Sequence, residues 1–426
     1  MIILKSVWIE PSGLQGRIRI PPSKSISHRA IICAGLAQGT SSIGNIILSE
    51  DIEATLEAIS ALGACVEKDP ENYTLEITGT SFPRRVKQSI DCRESGSTLR
   101  FLIPLAALTG TAITLTGKGR LKERPLDEYY KIFDQQGIKY KTDRGFLPLT
   151  LEGNLNPGIY SIRGDVSSQF ISGLLFALPL LSGNSKIVVT TEMESRGYID
   201  LTIDILEKYG IKVENNHYRE FLIEGNQKYN KTNYNIEGDY SQAAFWIVAA
   251  SLRGSIDCLG LNPESVQGDR MIIDITGKMG AHIEQTQEGL SIKTAVTRGT
   301  VIDAAQCPDL VPVLAVLGAF SQGITTIVNA GRLRIKESDR LKAIATELNK
   351  LGAKVQEFDE GLKIEGVEIL EGGTVVDSWN DHRIAMALAV AALKCKKPVE
   401  ITGFEAVKKS YPHFWDDFYK LGGKIK

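Results

Sequence analysis

The chain has 426 residues, 43% of them hydrophobic, which is enough for two or three domains with separate cores. Lys plus Arg number 49 and Asp plus Glu 51, so the basic excess of a nucleic-acid or anionic-membrane binder is absent and any anion site must be local. The longest apolar runs, 310–320 and 384–393, fall well short of the roughly 20 residues of a membrane span.

Residues 1–10 alternate like a strand and carry neither a long apolar stretch nor a Ser/Arg-rich amphipathic one, so a cytoplasmic location is expected. The six cysteines, Cys33, Cys65, Cys92, Cys258, Cys307 and Cys395, stand apart with no C-x-x-C pair and no Cys/His cluster. Reduced, mostly buried thiols are expected, with no metal and no cofactor. Five histidines and the absence of an H-E-x-x-H, Walker A or strand-linked G-x-G-x-x-G motif take away the usual support for metalloprotease, P-loop and Rossmann readings.

Along the chain a helix end, a Gly and a β-type stretch recur at Gly63, Gly137, Gly210, Gly280, Gly352 and Gly422, at spacings of 74, 73, 70, 72 and 70 residues. Each Gly sits where a helix C-terminus favours a residue that tolerates the left-handed conformation. A further alternating strand follows the first five copies, as at 73–79, 221–225 and 361–366, but the sixth copy stops at Lys426. Its missing strand is expected from segment 7–20, which makes the domain that holds both termini discontinuous.

A polar cap followed by an apolar helix recurs on the same period. The caps lie at 25–29, 94–98, 165–169, 239–242, 307–309 and 380–383, and the predicted helices at 30–37, 99–108, 171–181, 243–252, 311–320 and 384–393. These helices are apolar on most faces, which predicts burial under their own sheets. The expected fold is therefore α/β, with six repeats, three per domain. The expected domains are 1–21 with 237–426, and 22–236, joined near Pro21-Pro22 and Glu237. The active site is expected in the cleft between them, where helix N-termini would attract anions.

Cations stand in or beside the caps: Lys24, Arg29, Arg100, Arg124, Arg196, Lys336, Arg340, Arg383, Lys408 and Lys409. Arginine forks suit phosphate and carboxylate, so the set fits a small polyanion. Acids share these segments. Asp239 and Asp381 read as helix caps, whereas Asp309 and Glu337 are candidates for proton transfer under the influence of the cations. Tyr198 reads either as a packed side chain or as a ligand contact, and His382 could titrate near neutrality.

Nine stretches carry a resemblance: PPSKSISHRA at 21–30, ESGSTLRF at 94–101, KERPLDEYY at 122–130, GDVSSQFISGLL at 164–175, SRGYIDLT at 195–202, EGDYSQAAFW at 237–246, CPDLVPVLAV at 307–316, RIKESDRLKA at 334–343 and WNDHRIAMALA at 379–389. Together they make the chain resemble the 5-enolpyruvylshikimate-3-phosphate synthases, an enolpyruvyl transferase family. The resemblance implies a two-lobed inside-out α/β barrel of six βαβαββ units. It implies that Ser25, Arg29, Ser167, Ser168, Gln169, Ser195, Tyr198, Asp309 and Lys336 bind shikimate 3-phosphate. Phosphoenolpyruvate is implied to meet Lys24, Gly96, Arg124, Gln169, Arg340, Arg383 and Lys409, with Lys24, Asp309 and Glu337 as proton carriers.

Three positions depart from the family's commonest pattern: Glu94 for Asn, Phe101 for Pro and Arg332 for Asn. Two other readings stay open at this point. A UDP-N-acetylglucosamine enolpyruvyl transferase shares the fold but usually carries Lys-Asn at the position of Lys24-Ser25 and a Cys in the loop before Arg124. A non-catalytic anion-binding scaffold would not need Lys24, Asp309 and Glu337 together. No nucleic-acid or membrane partner is expected, and a monomer is.

Overall fold

The computed structural model describes residues 6–426. The strand expected at the N-terminus is seen as Ser6–Glu10, and residues 1–5 lie outside the described part. In chain order the α-helices are α1 (Lys24–Leu36), α2 (Glu50–Ala61), α3 (Gly96–Ala107), α4 (Asp127–Gln136), α5 (Ser168–Ala177), α6 (Arg196–Lys208), α7 (Tyr240–Arg253), α8 (Met271–Lys278), α9 (Val311–Phe320), α10 (Arg340–Lys350), α11 (His382–Ala392) and α12 (Phe414–Lys420). The odd-numbered helices are the expected apolar ones and are buried around nearly their whole circumference; every residue of α9 is buried. The even-numbered helices bury one face only, as the polar residues spaced along α4 and α10 require.

The repeat is visible in the backbone. Each of the six glycines that mark it has a positive φ, from 68° at Gly137 to 109° at Gly63, so each terminates an outer helix in the left-handed region. In the second copy the strand Ser89–Asp91 pairs in parallel with Ile113–Thr116 across the buried α3. The chain then runs through α4 to Lys139–Asp143, and the following strand, Phe146–Glu152, inserts between that strand and Ile113–Thr116, antiparallel to both. All six four-stranded sheets share this order. Their outer faces alternate with buried positions, so each sheet turns one face to solvent and the other to a buried helix.

Three strands from elsewhere in the chain complete the repeats. Ser6–Glu10 lies between Val399–Thr402 and Lys424–Ile425 and supplies the strand missing from the sixth copy. The expected donor ran from 7 to 20, but Leu14–Arg19 instead becomes the leading strand of the fourth copy, parallel to Gly254–Leu259. The leading strand of the first copy comes from Asn233–Asn235, parallel to Gln38–Gly44, a return that the short polar sequence gave no sign of.

The chain divides into two compact units. The first holds residues up to Ser23 with Glu237–Lys426; the second is Lys24–Ile236. Pro22 and Ser23 group with the first unit because Pro22 bridges Gly238 and the Ser23 amide donates to the Glu237 carbonyl at 2.8 Å. Each unit has its own hydrophobic core. In the first, α7, α9 and α11 pack on one another. In the second, α3 packs on α5, while α1 packs on α2 and α6. Five cysteines are buried as expected and Cys65, on a strand with one solvent face, is exposed. Among the described residues no helix is long and apolar enough to cross a membrane.

Candidate active site

In the second unit the expected ligands sit at helix starts. α1 begins at Lys24, immediately after the Pro21-Pro22-Ser23 segment. The Lys24 ammonium lies 2.8 Å from Asp51, a residue in the first turn of α2, whose start is capped by the Ser49 hydroxyl. Arg29 lies one turn further along α1 and is buried. Its Nε donates to Thr202 Oγ1 at 2.8 Å, Nη1 to the Ser25 carbonyl at 2.8 Å and Nη2 to the Tyr198 carbonyl at 2.9 Å. Ser195 precedes α6 with a left-handed φ of 54°, a strained conformation for a residue with a Cβ, and is buried.

α3 starts at Gly96, with the Ser95 hydroxyl accepting from the Thr98 amide, and α5 starts at Ser168, with the Ser167 hydroxyl accepting from the Gln169 amide. These two starts touch: Gln169 Nε2 donates to Ser97 Oγ at 3.0 Å. A Cβ on Gly96 would lie 2.2 Å from Arg124 Nη1, so glycine is what lets that guanidinium cover the helix start. Arg100, named in the sequence only as a cation near a cap, organises this corner. It donates to Gln169 Oε1 at 2.9 Å and to the Pro125 carbonyl at 3.2 Å, and lies over the Phe170 ring.

In the first unit the sequence's proton-transfer candidates fall into one cluster. Asp309 occupies a single 3-10 turn, Pro308–Leu310, just before α9. One carboxylate oxygen is 2.9 Å from Arg340 Nη1 and 3.5 Å from Lys336 Nζ, and the other is 3.1 Å from Arg383 Nη2. Arg340, the first residue of α10 and almost fully buried, also reaches Glu337 at 2.7 Å and Asp381 at 2.7 Å. Asp381 has two tasks, because it also caps α11 by accepting from the Arg383 amide. Lys409 is buried and donates to the Asn380 carbonyl at 2.7 Å.

The electrostatics follow from burial and pairing. Burial works to raise the Asp309 carboxyl, yet Arg383, Lys336 and Arg340 hold it well below the usual carboxylate range. Burial pushes the Lys336 ammonium down to about 8, against the pull of Asp309. Arg340, though buried, is raised by Asp381, Glu337 and Asp309 and stays charged. In this unit Lys336, Arg340, Arg383 and Lys409 stand against Asp309, Glu337 and Asp381, a surplus of one positive charge. In the other, Lys24, Arg29, Arg100 and Arg124 stand against Asp51, a surplus of three. An acidic chain thus keeps local sites for anions.

Other candidates fall outside these clusters. Arg196 pairs with Glu192 and lies over the Tyr218 ring, and Lys408 is exposed beside Glu405. Asp165 pairs with Arg163 at 2.7 Å, leaving the cap of α5 to Ser167. Asp239 caps α7 as expected. His382 is buried, with Nδ1 3.9 Å from Asp381. Arg332 donates to the Ala305 carbonyl at 2.8 Å. Asp51 and the positioning role of Arg100 went unnoticed in the sequence: an acid in the first turn of a helix is commonplace.

The model of the EPSP synthase (3-phosphoshikimate 1-carboxyvinyltransferase) family matches residues 9–418. The 3-phosphoshikimate 1-carboxyvinyltransferase of Clostridium kluyveri is 57% identical over 99% of this chain and 98% of its own. That of Clostridium novyi is 55% identical over the same shares. A solved EPSP synthase from Acinetobacter baumannii is 26% identical and superposes with a TM-score of 0.82 over 99% of each chain. The chain belongs to the EPSP synthase (3-phosphoshikimate 1-carboxyvinyltransferase) family.

Proposed function

We propose that the chain transfers the enolpyruvyl group of phosphoenolpyruvate to the 5-hydroxyl of shikimate 3-phosphate and releases phosphate. The observation that carries this reading is the Asp309–Arg340–Arg383–Lys336 network, in which an ionised carboxylate is held among cations at the start of two buried helices. Ser25, Arg29, Ser167, Ser168, Gln169, Ser195, Tyr198, Asp309 and Lys336 are assigned to shikimate 3-phosphate. Lys24, Gly96, Arg124, Gln169, Arg340, Arg383 and Lys409 are assigned to phosphoenolpyruvate.

In the addition step the 5-oxygen bonds to C2 of phosphoenolpyruvate, the hydroxyl loses its proton and C3 gains one. In the elimination step C3 gives up a proton and the bond from C2 to the phosphate oxygen breaks. Asp309, ionised through neutral pH, accepts the hydrogen bond of the attacking hydroxyl and orients it. Glu337 and Lys24 exchange the protons. Arg124, Arg340, Arg383 and Lys409 stand in place before the reaction starts, so they stabilise the charge of the adduct and of the leaving phosphate without reorganising.

We place the protein in the cytoplasm as a monomer. The test is phosphate release from phosphoenolpyruvate with shikimate 3-phosphate, with UDP-N-acetylglucosamine in parallel. Release with shikimate 3-phosphate alone supports the reading, and release with the sugar nucleotide alone contradicts it.

A further inference from the structure

Arg29 and Arg340 are both almost fully buried, yet they are held in different ways. Arg340 is surrounded by Asp309, Glu337 and Asp381. The three acceptors of Arg29 are a hydroxyl and two main-chain carbonyls, all neutral. Burial accordingly works against its charge. A guanidinium carries five N–H groups, and those three bonds leave two, one on each terminal nitrogen.

The face of this guanidinium is covered by Phe101, whose ring centroid lies 5.0 Å from the central carbon of Arg29. Phe101 is 1% exposed and sits in the second turn of α3, five residues after Gly96. Its own orientation is fixed by an edge-to-face contact with Phe176, 5.4 Å between centroids. The negative face of an aromatic ring attracts a cation, and the attraction is largest where water is excluded. The ring also restricts rotation of the guanidinium about its stem.

We infer that Phe101 is a positioning residue for the acceptor substrate: its ring face holds Arg29 charged and flat, so that the two remaining N–H groups meet an anionic group of shikimate 3-phosphate. This rests on the assignment of Arg29 to that substrate. Nothing in the reaction requires an aromatic ring to touch the substrate, so the effect passes entirely through Arg29. It acts on binding of one substrate, and leaves the proton-transfer groups of the first unit untouched.

The test replaces Phe101 by mono-, di- and trifluorinated phenylalanines in the full-length protein. Stepwise fluorination drains the ring face of negative charge while keeping its size. The dissociation constant for shikimate 3-phosphate, measured by calorimetry, is expected to rise with each fluorine, and Phe101→Leu is expected to weaken binding roughly tenfold. The KM for phosphoenolpyruvate and kcat should stay within about twofold. A merely structural role would respond to Leu but not to fluorine. A flat fluorine series alongside a binding-defective Arg29→Ala overturns the role of Phe101 alone. Unchanged affinity in Arg29→Ala overturns the assignment of Arg29 on which it rests.

Discussion

The Lys24 ammonium and the Asp51 carboxylate lie 2.8 Å apart, and both side chains are largely shielded from solvent. Asp51 is held in turn by its helix: its carbonyl accepts from the Thr55 hydroxyl at 3.3 Å, and that hydroxyl meets Thr98 at 2.6 Å and the ring of His28 at 2.7 Å. The first turns of α1, α2 and α3 are thereby tied together around a proposed proton carrier. Asp51→Asn keeps the shape and removes the charge, and is expected to lower kcat roughly 100-fold, since misplacing a reacting group by about 1 Å has that effect. Steady-state phosphate release checks this. A kcat within threefold of wild type would show that Lys24 needs no such partner.

Gly96→Ala would put a methyl group 2.2 Å from Arg124 Nη1. Arg124 is buried, so the guanidinium must move off the start of α3. A rise of about tenfold or more in KM for phosphoenolpyruvate is expected, equivalent to roughly 1.4 kcal/mol or more. The KM for shikimate 3-phosphate should rise less, because of its assigned ligands only Gln169 and the neighbouring Ser167 and Ser168 stand at this corner. Equal changes in both constants would contradict the split.

Lys336 titrates near 8 because of its burial. An arriving anion favours its charged form, so shikimate 3-phosphate binding should take up a proton above pH 8 and none through this group at pH 7. Calorimetry in buffers of different ionisation enthalpy reads the number directly. Lys336→Arg stays charged at both pH values, and its uptake should vanish. Uptake persisting in that variant would assign the proton elsewhere.

His28 is fully buried, and burial, then Lys24 and Arg29, depress its pKa well below the usual imidazole value. The folded protein therefore keeps it neutral while the unfolded chain protonates it below about 6.5. Its contribution to stability is full above that pH and is lost as pH falls, by up to about 1.4 kcal/mol per pH unit. Thermal melts from pH 7 to 5 should show a shallower decline in His28→Gln than in wild type. Parallel declines would mean that His28 does not govern the acid limb.

Much of the architecture was legible because the repeat writes itself in local chemistry. A helix that must end before a strand needs a left-handed residue, and Gly supplies it six times; a buried helix needs a cap, and Ser95, Ser167, Asp239 and Asp381 supply it. The cluster of Asp309, Glu337, Arg340 and Arg383 was legible for the same reason, since its members stand at helix starts of successive repeats. Less could be read where the signal is a contact between distant segments. Asn233–Asn235 is too short and polar to announce a strand, Lys24 lies 27 residues before its partner Asp51, and Arg29, the cation over Phe101, lies in a different repeat. Proximity to a cap in sequence also says nothing about direction, so Arg196 and Lys408 were grouped with site cations although they face Glu192 and Glu405.

The central claim is that the acids around Arg340 carry the chemistry as well as the fold. Glu337→Gln keeps the volume and a hydrogen bond to Arg340 while removing the carboxylate, so single-turnover phosphate release with both substrates bound tests it most directly. The expected result is a rate reduced by about 100-fold or more, the usual contribution of a positioned acid or base, with shikimate 3-phosphate affinity nearly unchanged. A single-turnover rate within threefold of wild type would contradict the account.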